Sequence, residues 1–305
     1  MVETTHSLVP SDAAAGGVFA LGNFDGVHRG HRAVIAAAVA RAKELKVPAR
    51  VLTFEPHPRS VFISDTEPFR LTPAPVKERL LKECGIDDVV TLPFTLELAQ
   101  VAAQEFAERV LRDRLGARHI VAGYDFTFGH DRGGDMQKLA AWLVPHGIGV
   151  DEIAPVGDGA AFSSTRIREL LRAGEIEPAD DMFGHAWTIE GDVIKGAQRG
   201  RTIGVPTANI GLDDYLRPRF GVYAVRAGRV GEELSYKGVA NIGLRPTVDG
   251  KHETLEAHLF DFASDIYGEI WQFAPVRFIR PERKFDGLDA LKAQIIEDIK
   301  AAKRA

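Results

Sequence analysis

A single cysteine, Cys84, occurs in 305 residues, so the chain can close no internal disulfide and has no second thiol for a Cys-based zinc site or a CxxC redox pair. The cytoplasm is the expected compartment. An excess of charge of one sign is missing too: 38 Lys and Arg stand against 43 Asp and Glu, a net charge of −5. That balance gives no general attraction to nucleic acid or to an anionic membrane; neither is expected as a partner, and any phosphate site has to be local. The longest near-apolar stretch, Ala33 to Ala40, is alanine-rich and far short of the ~20 residues a membrane helix needs. The opening MVETTHSLVPSDAAAGG has no basic segment and no sustained apolar core, so it reads as a loose lead-in and not as a signal peptide. Solenoid-length repeats and low-complexity tracts are also lacking, which leaves the order of strands and helices as the main architectural signal.

What is present is ordinary globular composition, 45% hydrophobic and 27% charged, over a length that suits about two domains. From Val18 to about Val156, short β-rich runs alternate with helix-period segments. The strand candidates are Val18–Leu21, Arg50–Phe54, Val89–Leu92, His119–Ala122 and Gly149–Ile153, and the helix candidates lie near His31–Leu45, Val76–Glu83, Leu98–Leu115 and Asp135–His146. This pattern predicts an α/β fold, a doubly wound parallel sheet that binds ligands at the carboxyl ends of its strands. Beyond Phe183 the helical period gives way to short runs at Trp187–Ile194, Val222–Arg226, Tyr236–Ile242, Thr254–Phe260 and Trp271–Ile279, then an amphipathic segment Leu288–Ala302 with Leu288, Leu291, Ile295 and Ile299 on one face. An antiparallel β-barrel closed by a C-terminal helix is expected there. The boundary is placed between residues 183 and 184.

The loops after the strands carry the chemistry. GNFDGVHRGH, Gly22 to His31, leaves the first strand and enters the first helix; Gly22, Gly26 and Gly30 allow close backbone approach, and a helix N-terminus attracts phosphate. His28 and His31 are three apart, so both imidazoles can face one ligand, which suits charge stabilisation better than nucleophilic attack. Gly22, Phe24, Asp25 and Gly30, with His57 of the FEPHP loop, are the candidate substrate-binding residues there. GYDFTFGHDRGGD, Gly123 to Asp135, interleaves Tyr124, Phe126 and Phe128 with Asp125, a composition that fits either a flat heterocycle or plain core. SSTRIRELLRAG ends the first half: Ser163, Ser164 and Thr165 offer cap hydroxyls, Gly174 stops the helix, and Arg168, one turn after Ser164, is placed to clamp an anion.

In the second half GAQRGRTIGVPTANI, Gly196 to Ile210, is Gly-rich and basic and leads to Pro206, Thr207 and Asn209. If extended, it sets the Thr207 hydroxyl and the Asn209 amide oxygen on one side, two hard oxygens able to help hold Mg²⁺ on a nucleotide phosphate. GxxxxGK[ST] is absent, which excludes a P-loop kinase. In Thr254–Phe260 the alternation puts Glu256 and His258 on one face, making Glu256 either a general base or a solvated outer-face residue.

GNFDGVHRGH with SSTRIR resembles the nucleotidyltransferase superfamily that moves adenylyl or cytidylyl groups, and FEPHP with GYDFTFG narrows the likeness to the FMN adenylyltransferase module of the bacterial bifunctional riboflavin kinase/FAD synthetase. GRTIGVPTANI, GVYAV, NIGLRPT, LEAHLFDF and YGE resemble the riboflavin kinase domain, in the same order along the chain; Val205 and Leu244 depart from the usual residues. The resemblance implies ATP-dependent phosphorylation of riboflavin to FMN with release of ADP, then adenylylation of FMN to FAD with release of pyrophosphate. It implies His28 and His31 at the α-phosphate, Ser164, Thr165 and Arg168 toward pyrophosphate, and Asp125 near flavin or adenine. In the kinase it implies Gly196, Arg201, Gly204, Pro206, Thr207 and Asn209 around nucleotide and metal, with Glu256 as the base. An enzyme of this superfamily with another acceptor, and a noncatalytic nucleotide sensor, are the rival readings; an oligomer is compatible with both halves.

Overall fold

The structure is a computed structural model and describes residues 15–63, 67–195, 205–247 and 250–305. These fall into two compact units, one of the described residues up to 163 without 67–71, the other of 67–71 with 164–305.

The first unit is built on β1 (Val18–Leu21), β2 (Ala49–Glu55), β3 (Asp88–Pro93), β4 (His119–Gly123) and β5 (Gly149–Ile153), all parallel, in the order β3-β2-β1-β4-β5. The apolar runs force this arrangement: every residue of β1 is buried, as expected of a central strand covered on both faces. Strand order reverses between β1 and β4, so the loops leaving those two strands flank the crevice where such sheets bind ligands. The helices are α1 (Arg29–Leu45), α2 (Pro58–Phe62), α3 (Ala74–Glu83), α4 (Leu96–Ala99), α5 (Ala103–Glu105, continued by π-helical Phe106–Arg114) and α6 (Met136–Leu143). Helix α1 buries Val34, Ile35, Ala38 and Ala42, the three-four spacing of a core-facing stripe.

One expectation is corrected. Leu98–Leu115 is not a continuous helix but breaks at residues 100–102. The loop after β4 folds onto this point: the His130 N–H donates to the Val101 carbonyl at 2.8 Å. Gly129 and Gly134 approach Ala103 so closely that a Cβ on either would overlap it. A long-range contact thus takes over a carbonyl that the helix would have used.

The second unit opens with α7 (Ser164–Ala173) and α8 (Ile176–Phe183), then β6 (Ile189–Asp192), β7 (Ala208–Gly211), β8 (Gly221–Arg229), β9 (Tyr236–Thr247), β10 (Gly250–Leu259), β11 (Ile270–Pro281) and α9 (Leu288–Lys303). The strands pair antiparallel in the order β6-β11-β8-β9-β10-β7, and a bridge from Ile194 to Asn209 joins the two edges into a nearly closed barrel. Leu255 of β10 sits between Ile210 and Ile242, and Ala257 between Ala208 and Ala240, all of them buried, so these rows line the interior. Helix α9 follows the apolar-stripe expectation over Leu291, Ile295 and Ile299, all half-buried, with Ile299 packed against the cluster of Val222, Ala224, Val239, Phe260 and Ala302, and departs from it at the helix start. Leu288 is exposed, and the buried residues are Ala302 and Asp298, the latter holding Arg280 through two bonds of 2.9 and 2.7 Å. A forked ion pair does part of the work assigned to leucine.

Asp180 in α8 makes this unit pH-dependent. Burial pushes its carboxyl from the ordinary 3.8 up to about 7, although the Trp187 N–H, donating at 3.0 Å, opposes the shift. A raised acid binds a proton in the native state that the unfolded chain has lost, so this group favours folding at low pH and that advantage fades as pH rises through 7. Asp180→Asn is expected to raise the thermal midpoint at pH 8 much more than at pH 5. The gain is at most a few kcal/mol, since each displaced pH unit is about 1.4 kcal/mol; equal midpoint changes at both pH values would refute the assignment.

Candidate active sites

The loop after β1 is a strained, pinned turn. Phe24 and Val27 take positive φ angles of 52° and 41° beside Gly26 at 91°, a conformation a β-branched valine adopts only when its surroundings enforce it. The enforcement is visible in the hydrogen bonds. Asp25, 2% exposed, accepts at Oδ1 from the Thr72 N–H (2.9 Å) and the Thr72 hydroxyl (3.3 Å), while the Gly26 N–H donates to Thr72 Oγ1 at 2.9 Å. The Asp25 carboxylate therefore shapes the loop, and Phe24, 1% exposed, covers Gly22 with its ring.

At the end of this turn His28 caps α1, its Nδ1 accepting from the His31 N–H at 3.3 Å. That bond places the ring proton of His28 on Nε2. The His31 ring lies on the His28 ring, centroids 3.6 Å apart and planes at 18°, with Phe24 at its edge. Gly30 permits the stack: a Cβ there would lie 3.0 Å from His28 Cε1. Phe162 approaches the same helix start, its ring 5.9 Å from the Arg29 guanidinium, so the chain reaches Ser163 from beside the two histidines. His57 caps α2 through Nδ1 to the Arg59 N–H. Asp125 is exposed, Phe126 half-buried and Phe128 part of the core, stacked on Phe126 at 5.5 Å, so the aromatic string is core at its far end.

In the second unit Ser164 begins α7, Thr165 is exposed, and Arg168 is 9% exposed with its Nε donating to the Phe69 carbonyl at 2.9 Å. One edge of that guanidinium thus holds backbone. Gly196, Arg201 and Gly204 lie outside the described residues.

The barrel offers a second constellation. Asn209 on β7 and Asn241 on β9 stand directly across from Glu256 on β10, so the three share one face in a row, with Cβ spacings of roughly 5 Å expected of such pairs. Asn209, 5% exposed, donates from Nδ2 to the Thr207 carbonyl at 3.4 Å, which directs its amide oxygen elsewhere. His258 reaches the Pro206 carbonyl at 2.9 Å and ties the Pro206–Thr207 segment to β10. Asn241 donates to Glu282 at 2.9 Å, and Gly243, the next residue on that face, leaves room for the Glu282 carboxylate. Asn241, Glu282 and Thr72 escaped the sequence reading. NIGLRPT drew attention to the first, but only the strand register shows that it neighbours Glu256.

Comparison with known proteins finds a family match in each half of the chain. The FAD synthetase family model matches residues 11–166 and the riboflavin kinase model residues 183–305. Curated proteins named bifunctional riboflavin kinase/FMN adenylyltransferase are similar over most of their length. The one from Pseudomonas fluorescens is 42% identical, covering 99% of this chain and 96% of its own. That from Escherichia coli K12 is 40% identical over 93% and 90%, and that from Bacillus subtilis 38% over 98% and 95%. A solved structure described as a macrolide-efflux protein from Streptococcus pneumoniae superposes with a TM-score of 0.85 at 32% identity, covering 98% of both chains. Among the described residues no helix is long and apolar enough to cross a membrane. With a nucleotidyltransferase-type parallel sheet, an antiparallel barrel and matches of this extent in both halves, the chain belongs to the bifunctional riboflavin kinase/FMN adenylyltransferase family.

Proposed function

We propose that the family's two phosphorus transfers run on this chain at two separate sites, adenylyl transfer in residues 1–183 and phosphoryl transfer in residues 184–305. The protein is a riboflavin kinase and FMN adenylyltransferase: it phosphorylates riboflavin to FMN and joins FMN to the AMP part of ATP to give FAD. The observation that supports the two-site reading is the presence of two unlike sets of chemistry, an imidazole pair at the start of α1 and a carboxylate between two amides on the face of β7, β10 and β9.

In the kinase, Glu256 takes the proton from the 5′-hydroxyl of riboflavin as that oxygen attacks the γ-phosphorus of ATP, and ADP leaves. Asn209 and Thr207 supply neutral oxygen donors. Neutral oxygen donors of this kind fit a hard divalent ion that is also held by nucleotide phosphates. Thr207 and Asn209 would hold Mg²⁺ in this way, and the chemistry it supplies when bound is charge neutralisation at phosphate oxygens. Asn209→Ala is expected to lower riboflavin phosphorylation by about 10²-fold or more, the scale of losing one transition-state contact, with FMN-to-FAD conversion retained. Separate assays of the two steps check it.

In the adenylyltransferase, the FMN phosphate is already an anionic nucleophile, so no covalent enzyme intermediate is needed. Its oxygen attacks the α-phosphorus of ATP and pyrophosphate departs. The Nε2–H of His28 and the ring of His31 stabilise the charge there, at the N-terminus of α1, and by the family resemblance Ser164, Thr165 and Arg168 serve the pyrophosphate. Gly22, Phe24, Gly30 and His57 shape the surroundings and Asp125 faces the nucleotide or flavin. Gly30→Ala is expected to slow this step about tenfold by displacing the His28 ring a few tenths of an ångström, while leaving the kinase step intact. Chromatography of riboflavin, FMN and FAD after incubation with riboflavin, ATP and Mg²⁺ tests the whole reading. Both products are expected; formation of neither overturns it.

A further inference from the structure

Asn23, Asp25 and Gly26, the turn that delivers His28 to α1, are all held from one segment, residues 72–77, that no motif points to. Thr72 is 2% exposed and its hydroxyl bridges the turn, accepting from the Gly26 N–H and approaching the Asp25 carboxylate. Five residues on, Lys77 is 3% exposed, and its ammonium donates to Glu55 Oε1 at 2.8 Å and Thr53 Oγ1 at 3.2 Å. Thr53 is fully buried and passes the link on, its hydroxyl donating to the Asn23 carbonyl at 3.2 Å. Glu55 ends β2, where the FEPHP loop with His57 begins. One side chain therefore fastens both strand-end loops, and the other fastens the strained part of the first.

The cost of this arrangement argues for a duty. A buried ammonium loses several kcal/mol of hydration, and an apolar residue of the same length would fill the space without that loss. The turn also holds Phe24 and Val27 in left-handed conformations that relax once their restraints are released. Held as they are, the two loops fix where His28 presents Nε2, and misplacement by about 1 Å can cost 10²-fold in rate.

Resting on the adenylyltransferase reading above, we propose that Thr72 and Lys77 are positioning residues for adenylyl transfer: they clamp the GNFDG turn, directly and through Thr53, and so set the histidine pair against the reacting phosphate. Neither touches substrate. Their loss shows in turnover more than in binding.

The test uses the full chain with Thr72→Val, Lys77→Met, Thr53→Val and the double variant Thr72→Val/Lys77→Met. FMN-to-FAD conversion is followed for kcat and KM, and riboflavin phosphorylation by the same preparations reports whether the rest of the chain is intact. Each single change is expected to lower kcat for FAD formation about tenfold or more, with KM for FMN moving less than about threefold and the kinase step within about twofold. Because either loss frees the same turn, the double variant should fall no more than about threefold below the worse single, and Thr53→Val should copy Lys77→Met. Unchanged kcat in the singles, effects that multiply in the double, or a change confined to KM would overturn the proposal. If Lys77→Met fails to fold, Thr53→Val cuts the same link without stranding a charge and decides alone. No FAD from the unaltered chain would overturn the functional reading, and this proposal with it.

Discussion

Glu256→Gln should reduce riboflavin phosphorylation by about 10²–10⁴-fold, the range a positioned general base contributes, and leave FMN adenylylation at its original rate. The substitution keeps the volume and the planar end of the side chain, so the row formed with Asn209 and Asn241 survives and only the proton-accepting charge is lost. The competing account makes Glu256 an ordinary outer-face residue of β10. On that account Gln is close to neutral, since substitutions away from special features stay within about 0.5 kcal/mol in stability and leave turnover alone. The two accounts differ by at least two orders of magnitude in one assay.

Much of this could be read along the chain, and what escaped has a common cause. The parallel strands announce themselves because a strand covered on both faces is apolar through its length, as VFAL is, or carries a short apolar run, as ARVLTFE does. The alternation in β10 identified which residues face in, and the register agrees: Leu255 and Ala257 are buried, with Glu256 between them on the other face. The histidine pair was legible because a helix entrance and a three-residue spacing determine where two rings go. The features that were missed depend on partners distant in sequence. Thr72 meets a loop 46 residues away, Lys77 a strand 22 to 24 residues away, and the break in the Leu98–Leu115 segment follows from a loop that returns after β4. Helix α8 was hidden by Pro178, a residue that ordinarily signals an end but is tolerated in the first turn, where no intrahelical N–H bond is lost. Periodicity reports which face of an element is buried, whereas these features depend on what it is buried against.

The histidine pair gives the sharpest separation of a structural from a chemical role, because the proposed mechanism assigns His28 both. Its Nδ1 caps α1, and its Nε2–H is the atom that the proposed adenylyl transfer assigns to the substrate phosphate. Alanine removes both functions and costs about 0.5–2 kcal/mol for the lost cap. Asparagine is among the best capping residues and restores that bond, but it cannot extend a donor to where the far side of an imidazole would reach, nor stack on His31 at 3.6 Å. His28→Ala and His28→Asn are therefore expected to differ in thermal stability yet to lose FAD formation alike, by about 10²–10³-fold, the scale of removing one donor from a developing oxyanion. Both should accumulate FMN, since the kinase step does not use this residue. Recovery of FAD synthesis by His28→Asn would show that the cap alone matters and that the charge on the α-phosphate is met by the helix N-terminus without the imidazole.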